Sequence, residues 1–221
     1  PEREIGPGIW GGPTYAWSPD GQSVAVHHVD RTTMRKVPFP DYLAAETDPN
    51  EVRRGYPGDA NERRTVGVLE VKEPKLRLLE LTDPSANQVV GFTWSPNGTL
   101  LLDVASDTAV DRWLYIVEPG SDKLKQIWHS HRDSRIYTTF ASAWHPDGEQ
   151  VVFLSDIGDR YGLYALDATV SGGTPKRLTD PDYDVLGAPA IVAATGEIVY
   201  AARGEHPNER QAKRVRAHCG T

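Results

Sequence analysis

Three times along the chain an apolar or aromatic run stops at the same short turn and gives way to alternating, β-rich residues. The turns are Trp17-Ser18-Pro19-Asp20-Gly21, Trp94-Ser95-Pro96-Asn97-Gly98 and Trp144-His145-Pro146-Asp147-Gly148. In the first two, Ser, Pro, Asp or Asn, and Gly fill positions i to i+3 of a type I turn. Proline presets φ there, and glycine takes the left-handed residue that lets two strands pair. The third copy lacks only the serine. Apolar or aromatic residues precede each turn (15–16, 91–92, 140–143) and alternation follows it (23–26, 99–104, 150–154), so each predicts a β-hairpin.

Trp17, Trp94 and Trp144 stand 77 and then 50 residues apart, and a spacing near 50 is the length of a propeller blade. The units parse into four short strands each. In the first they begin at Thr14 and continue as 23–28, 65–71 and 76–81; in the second they are 91–95, 99–105, 112–117 and 123–128; in the third, 140–145, 149–155, 162–166 and 175–178. After Asp180 the repeat decays. Segments 187–192, 197–202 and 211–215 supply three further strands, Ala194-Thr195-Gly196 replaces the turn, and a fourth strand is missing. The expected fold class is all-β: a partial β-propeller with three complete four-stranded antiparallel blades (14–82, 89–130, 138–180) and an incomplete fourth (186–217). A meander of this kind buries both faces only when stacked against neighbours.

Because the repeat spans nearly all of the 221 residues, the chain reads as a single domain. Its 24 Lys+Arg against 31 Asp+Glu give a net charge of −7, which argues against a general nucleic-acid surface and leaves room for a local basic face. No apolar run approaches 18 residues and no charged-then-apolar start is present, so no membrane span is expected and no signal peptide is visible in a chain that opens abruptly on Pro1-Glu2-Arg3. The single cysteine, Cys219, cannot form an internal disulfide, and the compartment stays open.

The first unit is 27 residues longer than the second, and the excess lies in an insertion at 31–64 that is too polar and too broken for a core. Long insertions on repeats gather on one functional face, and this one reads as a hairpin or loop excursion. Its wording carries a resemblance. Val26-His27-His28-Val29-Asp30, Arg35-Lys36-Val37-Pro38, Asp41-Tyr42, Gly55-Tyr56-Pro57-Gly58-Asp59-Ala60-Asn61 and Thr65-Val66-Gly67-Val68 occur in the order found between two blades of the dipeptidyl peptidase IV N-terminal domain. Ser155-Asp156 through Arg160-Tyr161-Gly162-Leu163-Tyr164, and Arg177-Leu178-Thr179 with Tyr183-Asp184-Val185, resemble further segments of that family. The similarity runs from about residue 14 to residue 210.

Candidate chemistry is sparse. No Gly-x-Ser-x-Gly elbow, Cys-x-x-Cys, His-Glu-x-x-His, phosphate loop or dinucleotide fingerprint occurs, so no catalytic residue and no cofactor is assigned. Ser18 and Ser95 sit between Trp and Pro and read as turn residues. His27 and His28 are strand neighbours facing opposite ways, which favours individual hydrogen bonds over a shared metal. His129 and His131 share a strand face, a weak metal pair lacking a nearby third ligand of strong type, and read as a solvated edge. Asn97-Gly98-Thr99 matches a glycosylation sequon, but a tight turn already explains the asparagine.

The resemblance implies more. In the family the propeller is followed by an α/β-hydrolase domain that carries the Ser-Asp-His triad. The propeller limits access and lends glutamates that bind the free amino terminus of a peptide substrate. Aligned without gaps on Pro19, the glutamate positions fall on Gly6 and Pro7. With an insertion of four residues, Glu4-Ile5-Gly6 matches the Glu-Phe-Gly variant of tripeptide-releasing relatives, so Glu4 is the expected substrate-binding residue. The resemblance also implies eight blades in the parent, so this chain is expected to be an open arc whose blade edges attract a second copy. The rival reading from another class is a non-enzymatic TolB-like or WD-type scaffold for protein partners, which shares the generic turns but not the insertion at 31–64.

Overall fold

In a computed structural model, residues 8–40, 42–43, 45–46, 49–136, 140–157, 160–204, 206 and 208–217 are described, with the backbone alone for 8–13 and 49–50. Among them are seventeen strands and no helix, and thus none long and apolar enough to cross a membrane. Strands β1 (Gly8–Trp17) and β2 (Ser23–Asp30) form the first hairpin. The insertion folds as its own two-stranded sheet, β3 (Lys36–Pro40) against β4 (Pro49–Arg53). The chain returns as β5 (Arg63–Glu70), which pairs with β2 and with β6 (Lys75–Leu79). A second meander follows: β7 (Gln88–Trp94), β8 (Leu100–Ala105), β9 (Asp111–Val117) and β10 (Lys125–His131). A single parallel pair, Arg64 against Gln88, joins the two meanders into one eight-stranded sheet. A four-stranded sheet contains β11 (Ser142–Trp144), β12 (Gln150–Ser155), β13 (Gly162–Asp167) and β14 (Lys176–Arg177), and a three-stranded one contains β15 (Val185–Ile191), β16 (Glu197–Arg203) and β17 (Arg210–Arg216).

Several boundaries shift from the sequence expectation, and three of the shifts have a visible cause. Strand β1 starts at Gly8 and not at Thr14, because β2 is long enough to pair Gly8 with Asp30 and Trp10 with His28. Its register shifts between Trp10 and Tyr15, where Gly11-Gly12-Pro13 supplies two flexible residues and one without an N–H. Strand β10 runs on to His131 because β9 offers partners as far as Asp111. Strand β14 shrinks to two residues, following Pro175, which cannot donate to the ladder.

The middle strands are buried on both faces, and the period of two sorts their side chains. Leu100, Leu102 and Val104 of β8, with Trp113, Tyr115 and Val117 of β9, pack against Ala25, Val66, Val68 and Leu79 from the first meander. The alternate residues Leu101, Leu114 and Ile116 face the other way and meet Val151, Phe153, Tyr164 and Leu166. Val152, Leu154 and Leu163 then face Val185, Ile198, Tyr200 and Ala202. Three cores thus lie between successive meanders, and each large side chain withdrawn from water contributes roughly 1.5–3 kcal/mol.

The repeated turns lock one meander to the next. Trp94 Nε1 donates to the carbonyl of Ala16, the residue before Trp17, at 3.0 Å. Trp144 Nε1 donates to the carbonyl of Thr93, the residue before Trp94, at 3.2 Å. The turns also stack: a Cβ on Gly148 would run into the Asn97 amide, and one on Gly196 into the His145 ring. The pairing registers place these turns at one end of the first two meanders. At the opposite end lie Gly8, Asp30, Arg63, Gln88, Ala105 and Arg112, and there the insertion rises.

Candidate functional site

At that opposite end an open groove of about 620 Å³ separates the insertion from the ends of the sheet. Its charged lining comprises Arg31, Arg53, Arg54, Arg64 and Arg135 with Glu62 and Asp107, and Met34, Val90 and Phe140 are among its apolar residues. Local chemistry builds each wall. In the insertion, Arg35 Nη2 donates to Asp59 Oδ1 at 2.6 Å, Asp59 Oδ2 accepts the Tyr56 N–H at 3.0 Å, and the Arg35 guanidinium lies 5.5 Å from the centre of the Tyr56 ring. The Tyr56 N–H and the Arg35 charge hold the Asp59 carboxyl below its usual range. Arg53 Nη1 is fixed by the carbonyls of Thr32 and Met34, both at 3.2 Å.

Glu62 sits between two guanidiniums. Arg31 Nε donates to its Oε2 and Arg64 Nε to its Oε1, each at 2.7 Å. Burial raises the Glu62 carboxyl, and the two arginines more than offset this, leaving it below its usual value and charged. The far rim is the turn from Ser106 to Asp111. Ser106 Oγ accepts the N–H groups of Val110 and Asp111, each at 3.1 Å. Ala109 holds a left-handed φ of 55°, unlike every other described non-glycine residue. Its carbonyl accepts the Ile136 N–H at 2.7 Å, which ties the segment carrying Arg135 to the groove.

Beneath this rim lies a network that sequence reasoning missed. Arg112 Nε and Nη2 donate to Asp103 Oδ1 and Oδ2 at 2.9 and 2.7 Å, and both residues are only 1% exposed. Arg112 Nη1 donates to the carbonyl of Leu154 in the next sheet, and its guanidinium lies 5.0 Å from the Phe140 ring and 5.6 Å from Phe153. The signal was present: Asp103 is the one charge in the apolar run of β8, and the diagonal cross-strand position two residues from its partner belongs to Arg112.

The other candidates take bland places. Ser18 Oγ donates to Asp20 and accepts the Ser23 N–H, Ser95 Oγ accepts the Thr99 N–H, and both serines are buried turn residues. His27 Nε2 donates to the Val89 carbonyl at 3.1 Å and packs edge-on against Phe92, while His28 Nδ1 meets Thr65 Oγ1 at 3.3 Å on the opposite face. Burial lowers the His27 pKa. His129 and His131 both reach Asp111 Oδ1, at 2.9 and 2.8 Å, and His129 stacks on Trp113. Among the described residues no group of three or more His, Cys, Asp or Glu could hold a metal ion. Glu4 lies outside the described residues.

Comparison with known proteins agrees with the fold and sharpens it. The family model of the dipeptidyl peptidase IV N-terminal region matches residues 12–220. A structure described as a dipeptidyl aminopeptidase IV from Bacteroides ovatus superposes with a TM-score of 0.83 at 17% identity, over 99% of this chain and 35% of its own. Dipeptidyl peptidase 4 of Porphyromonas gingivalis gives 0.77 at 17% identity, over 92% and 29%. TolB from Acinetobacter baumannii gives 0.54 at 16% identity, over 91% and 40%, a likeness of fold alone. The chain therefore spans about a third of the length of the peptidases it resembles. The match across residues 12–220 places this all-β chain in the dipeptidyl peptidase IV N-terminal region family, as a β-propeller domain.

Proposed function

We propose that this chain is the propeller portion of a serine exopeptidase of the dipeptidyl peptidase IV type. In that reading it narrows access to an α/β-hydrolase domain of the same protein and holds the free amino terminus of a peptide substrate. The observation that carries the reading is the family match over residues 12–220. The topology is compatible with it: β1 begins at Gly8 opposite Asp30, at the end of the sheet where the insertion and the groove lie. Glu4 is the proposed partner of the substrate ammonium, a carboxylate–ammonium pairing. The test is steady-state kinetics of the protein that carries this domain. Glu4→Gln should raise KM for free-amine Xaa-Pro amides about tenfold, with kcat changed less than twofold. An unchanged KM would remove Glu4 from the role.

The proposed blades are 14–82 with its insertion 31–64, then 89–130, 138–180 and the partial 186–217. Their support is the tryptophan hydrogen bond recurring from unit to unit. We further propose that a second copy pairs through open blade edges. Light scattering over a dilution series should show a dimer that dissociates, and a monomer at every concentration would contradict it.

A further inference from the structure

We propose that the arginine-lined groove between hairpin β3–β4 and the ends of the first two meanders is a binding site for the carboxylates of an acidic peptide. Among the described residues of the lining, five guanidiniums stand against the carboxylates of Glu62 and Asp107, a formal excess of three positive charges. The chain as a whole carries −7, so this is a local reversal of sign, and a field of that kind concentrates anions from solution.

The donors are pre-positioned. Arg53 is oriented by two backbone carbonyls through Nη1, and Arg31 and Arg64 already grip one carboxylate, that of Glu62. The exposed side chain of Arg54 has no hydrogen bond or ion pair with any described residue, so its full fork of donors faces the groove's solvent. Arg135 is brought to the rim by the Ile136–Ala109 hydrogen bond, and that contact depends on the left-handed Ala109, a conformation costing roughly 1–2 kcal/mol for a residue with a Cβ. Strain retained at the wall of a cavity points to a use for that wall.

The chemistry selects the ligand class. Guanidinium forks match planar carboxylates in bidentate fashion. Glu62 and Asp107 repel a phosphate dianion about twice as strongly as a carboxylate, and the acidic remainder of the molecule repels an extended polyanion such as a nucleic acid. Met34, Val90 and Phe140 give the stem of a peptide apolar surface to lie on, and the volume is that of a ligand site.

The test is fluorescence anisotropy with a labelled, N-acetylated, C-amidated hexapeptide of alternating Glu and Ala, against the same peptide with Gln for Glu. Neither probe has a free amine, so the result is independent of the proposed recognition of substrate N-termini. The acidic probe should bind at least tenfold more tightly at low salt. Arg54→Ala should weaken it at least threefold and Arg54→Ala/Arg135→Ala at least tenfold, whereas Arg214→Ala, on the exposed edge of β17, should change it less than twofold. Equal binding of the two probes, or an equal loss with Arg214→Ala, would overturn the site. Inorganic phosphate binding more tightly than the acidic probe would make it a phosphate site and sink the carboxylate assignment.

Discussion

Arg112 and Asp103 form a two-point ion pair with almost no solvent contact, and Arg112 also reaches the carbonyls of Leu154 and Ala141 and the rings of Trp128, Phe140 and Phe153. Removing one member of such a pair leaves the other charged and buried, which costs about 3–5 kcal/mol. Arg112→Ala is therefore expected to lower unfolding stability by that amount in urea titration, and the double variant Asp103→Leu/Arg112→Met to recover most of it. A single-variant loss below about 1 kcal/mol would show that the pair does not bind the sheets together. His27 makes a prediction about pH. Burial lowers its pKa below the ordinary 6.5, so the unfolded chain takes up the proton first. The stability His27 contributes is complete above pH 6.5 and is lost as pH falls from there through the lowered value. His27→Gln should flatten that part of a stability–pH curve, and an unchanged slope between pH 7 and 5 would contradict it.

At the scale of elements, the tryptophan turns were legible because their chemistry is local: Pro, Asp or Asn, and Gly within four residues dictate the hairpin. The substitution in the third copy is legible only in the structure, where Asp147 Oδ1 accepts the N–H groups of Glu149 and Gln150 and does the work of the missing serine. The start of β1 was not legible, since Gly8 is a strand residue only because β2 runs as far as Asp30 and pairs with it. The groove was hidden for a similar reason: Arg31, Arg64 and Arg135 are remote in sequence and meet only when the insertion is laid over the sheet ends. The tryptophan hydrogen bonds give the element-scale prediction. Trp144→Phe keeps an aromatic ring against its neighbours but strands the Thr93 carbonyl, and the lost bond and lost volume together should cost about 2 kcal/mol. Hydrogen exchange should then open the four-stranded sheet β11–β14 before the rest; uniform protection would mean that the indole N–H contributes no inter-sheet coupling.

For the whole molecule, the physical logic is of meanders that cannot stand alone: three cores sit between successive meanders, and β8, β9, β12 and β13 each supply residues to two of them. Such a stack is a rigid frame on which one end can be built for recognition, and here that end carries the insertion, the arginines and the start of β1. The most direct measurement is product analysis by mass spectrometry of the protein carrying this domain, incubated with a ladder of peptides from four to twenty residues in free-amine and N-acetylated forms. The proposed exopeptidase role predicts sequential release of dipeptides or tripeptides from the free amino termini, with the acetylated ladder left intact. Internal cleavage of the acetylated peptides, or no hydrolysis of either ladder, would contradict it.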